Sequence, residues 1–112
     1  MKKTLLILAG VALGFSPLLH AKGNYGAGKA KSTTCAGCHG VDGVSSVSSF
    51  PKLAGQHRDY LYHSLKDYKS GKRKNPIMAG QVANLSDQDM ADLAAYFSKQ
   101  HGLAQNGLAQ KN

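Results

Sequence analysis

Two stretches of the chain repeat their apolar residues at helical spacing. From Gln56 to Ser70, Leu61, Leu65 and Tyr68 fall at i, i+4 and i+7, and Gly71 supplies a stop. The stronger pattern starts at Ser86, a good N-cap with Asp89 three residues on, as in a capping box. Asp87, Asp89 and Asp92 lie near the positive end of that helix dipole. Met90, Leu93, Ala94 and Phe97 follow at i, i+3, i+4 and i+7, and Gly102 is expected to close the helix. Gly23 to Thr34 carries a weaker helical pattern, a small-residue face marked by Ala27 and Ala30. Cys35 to Ser49 reads as a loop, with the turn signal Val41-Asp42-Gly43 and a small, polar run from Ser45 to Ser49; Phe50-Pro51 ends it. Lys72 to Asn84 reads as a basic, Pro-broken stretch holding Met78. No segment alternates with period two, so the pattern predicts an all-α fold.

The first apolar run is of another kind. Lys2 and Lys3 precede Thr4 to Phe15, and Ser16 to Ala21 ends in a small residue. This is the layout of a secretory signal peptide, and the run is short for a bilayer span; the alternative is a permanent N-terminal anchor. No Cys follows the run closely, which argues against a lipid anchor. The expected organisation is a signal peptide at 1–21, one domain at 22–102 and a flexible tail at 103–112. That tail repeats Gly-Leu-Ala-Gln, four residues twice being too short for a repeat architecture.

The composition narrows the chemistry. The 112 residues carry a formal net charge of +8, or about +6 by counting without Lys2 and Lys3. All the acids are Asp. A basic surface suits nucleic acid, anionic lipid or an acidic protein, and export makes nucleic acid the weakest of these. A chain this small, with no Trp, is near the limit of what its own core can stabilise. The two cysteines are too close in sequence for a disulfide between them to close a useful loop, so a cofactor is the expected addition to the core.

Cys35-Ala36-Gly37-Cys38-His39 is C-x-x-C-H, the attachment signature of c-type haem. Two thiols one helical turn apart can add to the two vinyl groups of one porphyrin, and the adjoining imidazole, from His39, becomes an axial iron ligand. A thioredoxin-like dithiol would sit near a βαβ pattern, which is missing, and a zinc site wants a second ligand pair. For the other axial position, Met1 leaves with the signal and Met90 belongs to the apolar stripe of the last helix, so Met78 remains. Thioether sulfur favours ferrous iron and raises the potential. The competing choice is a second imidazole, from His57, His63 or His101. A ligating His usually donates its other N–H to a carbonyl, and the Pro51 carbonyl is the best candidate, although a loop Pro also serves simply as a turn residue.

These residues resemble the class I monohaem cytochromes c of bacteria, most closely the periplasmic type related to single domains of dihaem cytochromes c. Gly28-Lys29-Ala30, Cys35 to Gly40 with Asp42-Gly43, Pro51 to Gln56 and Tyr60-Leu61 carry the likeness. It continues through Gly71-Lys72-Arg73, Met78, Leu85-Ser86-Asp87 and Ala94 to Phe97. The resemblance implies a cytochrome c fold of three to five helices around one haem c, bound through Cys35 and Cys38. It implies that the first and last helices cross at Gly28 against Tyr96 or Phe97, that Met78 is the distal ligand, and that Pro51 is the partner of His39.

The expected function is a soluble periplasmic electron carrier, not an enzyme, because a His/Met haem leaves no open position for substrate. Lys29, Lys31, Lys52, Lys66, Lys69, Lys72, Arg73 and Lys74 are candidates for a basic ring that attracts redox proteins with acidic surfaces. A monomer without nucleic acid or stable membrane insertion is expected. The alternatives are a haem subunit of a larger respiratory or dehydrogenase complex, and a five-coordinate haem sensor or enzyme.

Overall fold

The structure is a computed structural model that describes residues 22–102. The expected signal peptide and tail lie outside the described residues. Five helices follow one another: α1 (Tyr25–Lys31), α2 (Thr33–His39), α3 (Arg58–Ser70), α4 (Pro76–Val82) and α5 (Asp87–Ser98). The described residues are all-α, as the periodicity predicts, and none of their helices is long and apolar enough to cross a membrane.

Polar side chains cap the starts of α1, α4 and α5. Asn24 caps α1 by accepting from the Ala27 N–H at 2.8 Å. At α5 the Ser86 hydroxyl accepts from the Asp89 N–H at 3.0 Å while the Asp89 carboxylate accepts from the Ser86 N–H at 2.9 Å, a complete capping box. The expected stop at Gly102 is not where α5 ends. The helix finishes at Ser98, and Gly102 packs its backbone on Ala54, where a side chain would overlap the Ala54 carbonyl.

α5 is the centre of the molecule. Met90 to Phe97 are all buried, not only the expected stripe. A helix buried on every side needs partners on every side. α1 crosses it at Gly28, where a Cβ would overlap the Asp92 carbonyl and press on the Tyr96 Cβ, so only glycine lets the two backbones touch. α3 covers another face, and Leu61, Leu93, Ala94, Tyr96 and Phe97 form the apolar cluster between them. The Tyr96 hydroxyl donates to the Val41 carbonyl at 2.9 Å, tying α5 to the loop after α2.

Asp92 is the polar exception in this core. Its carboxylate accepts from the Asn24 N–H at 2.7 Å, from Lys31 Nζ at 2.6 Å and from Gln88 Nε2 at 2.7 Å, while Lys31 also reaches Asp89 at 2.8 Å. Burial alone would raise the Asp92 carboxyl, but these donors outweigh it and hold it below the ordinary carboxylate value. Asp92 is therefore an α1–α5 clamp rather than only a charge at the helix dipole, and Lys31 belongs to this seam.

Candidate functional site

The C-x-x-C-H segment is the second helix, not the start of a loop. Thr33 to His39 coil for two turns, and the chain leaves at Gly40, whose φ of 83° suits glycine, while the Gly40 N–H still bonds the Ala36 carbonyl at 2.9 Å. Helical coiling puts Cys35 and Cys38 on one face with the His39 ring beside them. Both cysteines are free thiols. Burial pushes the Cys35 thiol up, with the Thr34 hydroxyl opposing. A redox-active dithiol has the reverse shift.

The loop from Gly40 to His57 folds back beneath this helix. Leu53 and Ala54 N–H groups both bond the Gly43 carbonyl, at 2.8 and 3.1 Å, and the Ser45 hydroxyl donates to the Cys38 carbonyl at 2.8 Å. That return brings Pro51 to His39: His39 Nδ1–H donates to the Pro51 carbonyl at 2.8 Å. His39 is buried, with the Phe50 ring edge-on at 6.4 Å between centroids. With Nδ1 engaged, Nε2 is the nitrogen left for a metal.

Met78 lies in a helix, not in an irregular loop. Asn75 Oδ1 accepts from the N–H groups of Ile77 and Met78, each at 3.0 Å, and Pro76 occupies the first helical position. Asn at the N-cap with Pro next is a helix start, and this is the signal that the Pro-broken reading overlooks.

Cys35, Cys38, His39 and Met78 all line one cavity of about 590 Å³ between α2, α3, α4, α5 and the loop. Leu53, Leu61, Leu65, Leu93, Ala94 and Phe97 give it an apolar wall. Among the described residues, Met78 is the methionine and His39 the histidine in that wall. Met90 is buried in α5, and His57, His63 and His101 are elsewhere. Tyr60, Ser64, Tyr68 and Arg73 also line it. Sequence reasoning gave Tyr60 and Ser64 no site role, although their i, i+4 spacing beside Leu61 and Leu65 marks the same helix face. The cavity wall contains Lys52 and Arg73 but no Asp or Glu.

A haem fits this donor set. It is a flat apolar ring for the aliphatic wall, with two vinyl groups for the two thiols, iron for imidazole and thioether, and two carboxylates where the wall offers cations and no acids. A small ion fits worse, since no three His, Cys, Asp or Glu side chains gather around a common point among the described residues.

The basic residues divide by position. Lys66 reaches Asp87 at 3.4 Å and Lys69 donates to the Leu85 carbonyl, so these, with Lys31, are committed to other contacts. Lys52 and Arg73 line the cavity.

Comparison with known proteins agrees with this chemistry. The family model for cytochrome c matches residues 25–100. A cytochrome c4 of Pseudomonas aeruginosa is 50% identical over 100 residues, which are 89% of this chain and 49% of the relative. Cytochrome c-554(548) of Halomonas halodenitrificans is 43% identical over 81 residues, 70% of this chain and 98% of the relative. The crystal structure of reduced recombinant cytochrome c4 from Pseudomonas stutzeri superimposes with a TM-score of 0.69 at 47% identity, covering 72% of this chain and 47% of that one. The chain thus spans about half the length of the cytochromes c4 that it matches and nearly all of the shorter relative. With its family model, its fold and its cysteine pair in agreement, the chain belongs to the cytochrome c family.

Proposed function

We propose that this chain is exported to the periplasm and works there as a soluble, monomeric one-electron carrier, not as an enzyme. In this reading Cys35 and Cys38 hold one haem c by thioether bonds, and His39 and Met78 are its axial ligands. The observation that carries the reading is the single cavity wall containing both thiols, the Pro51-oriented imidazole and the Met78 thioether.

Bound there, the haem supplies a one-electron iron couple. The protein's own contribution is to keep its ligands still. The Pro51 carbonyl fixes the plane and basicity of the His39 ring, and Phe50 limits its tilt. Asn75 anchors the first turn of α4 and with it the Met78 backbone. The aliphatic wall excludes water, so little solvent rearranges when charge changes. With both axial positions filled by protein, no site is left for substrate, which speaks against the five-coordinate sensor or enzyme.

Lys52, at the cavity, and Lys72 and Lys74, which flank Arg73 in sequence, are the cations proposed to meet acidic redox partners. The test is fractionation followed by a redox titration. The mature protein is expected in the periplasmic fraction, retaining haem through denaturation and titrating with a one-electron slope. Haem lost on denaturation, or a protein confined to the cytoplasm, would refute the reading.

A further inference from the structure

A second cleft, of about 310 Å³, lies on the other side of α3 from the larger cavity. α3 divides its residues between the two. Tyr60, Leu61, Ser64 and Leu65 line the larger cavity, while Arg58, Asp59, Tyr62 and His63 line the smaller one. The floor of the small cleft is apolar, made by Ala91 and Ala94 of α5. Gly23 closes one end with its backbone laid on α5, where a side chain would overlap the Ala91 carbonyl. The next residue is pinned there by the 2.7 Å bond from the Asn24 N–H to Asp92. Tyr62 is a fixed wall, because its hydroxyl lies 2.8 and 2.9 Å from the two Asp87 oxygens. The His63 ring stands edge-on to it, with 5.3 Å between centroids. The lip is cationic, with Lys22 ahead of α1 and Arg58 at the start of α3. Asp59 is the one acid of the wall. Its side chain is 86% exposed and 3.7 Å from Arg58 Nε, too long and too wet a contact to neutralise that guanidinium.

We propose that this cleft binds a small organic carboxylate, its charged end held by Arg58 and Lys22 and its apolar body resting on Ala91, Ala94 and the Tyr62 ring. The Arg58 guanidinium offers a planar pair of N–H donors, which a carboxylate matches through two parallel hydrogen bonds. The His63 imidazole adds a donor at the same lip. Alanine methyls and an aromatic face reward a ligand that carries an apolar side, and a bare inorganic anion gains nothing from them. A cavity of this volume suits a small molecule. α5 adds no charge to the wall, so the cations of the lip face only Asp59, which points to water. The site is distinct from the haem cavity. His39 and Met78 line the larger cavity and not this one, so the carboxylate binds without reaching the iron ligands.

The experiment follows the backbone amide resonances of the reduced holoprotein during titration with sodium benzoate at constant ionic strength, with an optical spectrum at each point. Benzoate should give saturable shifts centred on Gly23, Arg58, His63 and Ala91, with a Kd of about 1 mM. Lys22→Gln/Arg58→Gln changes two exposed side chains, so the variant is expected to fold and to bind benzoate about 10-fold more weakly. Lys72→Gln, outside the cleft, should bind it like wild type. Inorganic phosphate has the charge without the apolar body, and benzyl alcohol has the body without the charge. Each should bind more weakly than benzoate, by about 5-fold or more. If either matches benzoate, or if the benzoate shifts do not saturate, the proposal is overturned. It is also overturned if the double variant binds like wild type, or if Lys72→Gln weakens binding as much as the double variant does. An optical spectrum that changes with benzoate would put the carboxylate in the larger cavity and would overturn the proposal as well.

Discussion

His39 and Met78 reach the cavity by different local devices. His39 is the last residue of α2, its ring tied by a 2.8 Å bond to a carbonyl twelve residues on, while Met78 depends on the Asn75 cap, three residues before it at the start of α4. Loss of Met78 should therefore change the iron's environment without disturbing His39. Met78→Ala is expected to give a high-spin ferric protein whose reduced form binds carbon monoxide, with a lower potential than wild type. Optical titration with carbon monoxide checks this. Asn75→Ala should cost about 1 kcal/mol of stability, the usual value of an N-cap, and should lower the temperature at which Met78 ligation is lost on heating.

At the scale of elements, the α1–α5 crossing and the Asp92 clamp hold the helices around the site. Gly28→Ala forces a methyl group into the Asp92 carbonyl and is expected to cost about 3 kcal/mol. Asp92→Ala leaves the Asn24 N–H and Gln88 short of an acceptor and should cost about 2 kcal/mol; Lys31, partly exposed and still near Asp89, can recover some of the loss in water. Denaturant titration of both variants measures these costs. The two periodic helices were legible in the sequence because each carries its own apolar spacing and boundary residues. α4 was hidden because Pro76 reads as a breaker unless Asn75 is weighed as its cap. α2 was hidden because its outward-facing side is Thr and Gly, and the apolar surface it meets lies outside its own span. The clamp at Asp92 could not be read at all, since its partners Asn24 and Lys31 lie 68 and 61 residues away. The C-x-x-C-H motif, by contrast, depends on spacing alone and is visible at once.

The whole molecule shows its charge in two ways. Lys31, with the Ser86 amide and hydroxyl, holds the Asp89 carboxyl down to about 2, and Asp92 is also held low. Both folded values lie below the ordinary unfolded value of about 3.9. Their contribution is thus complete above that value and is lost as pH falls from about 4 toward 2. Thermal melts across that window should show a declining midpoint, with a smaller decline in Lys31→Met. The basic face should act on encounter rather than on the fold. Lys72→Glu/Lys74→Glu is expected to slow electron transfer with an acidic partner about 10-fold at low ionic strength and to flatten its salt dependence. Stopped-flow kinetics over a salt series checks this.

The proposed function stands on His39 and Met78 both binding the iron of a covalently held haem. The most direct measurement is the optical spectrum of the purified, exported protein in both oxidation states. A low-spin ferric form with a sulfur-to-iron charge-transfer band, and a reduced form indifferent to carbon monoxide, is the expected result. A high-spin ferric form that binds carbon monoxide readily once reduced would contradict it.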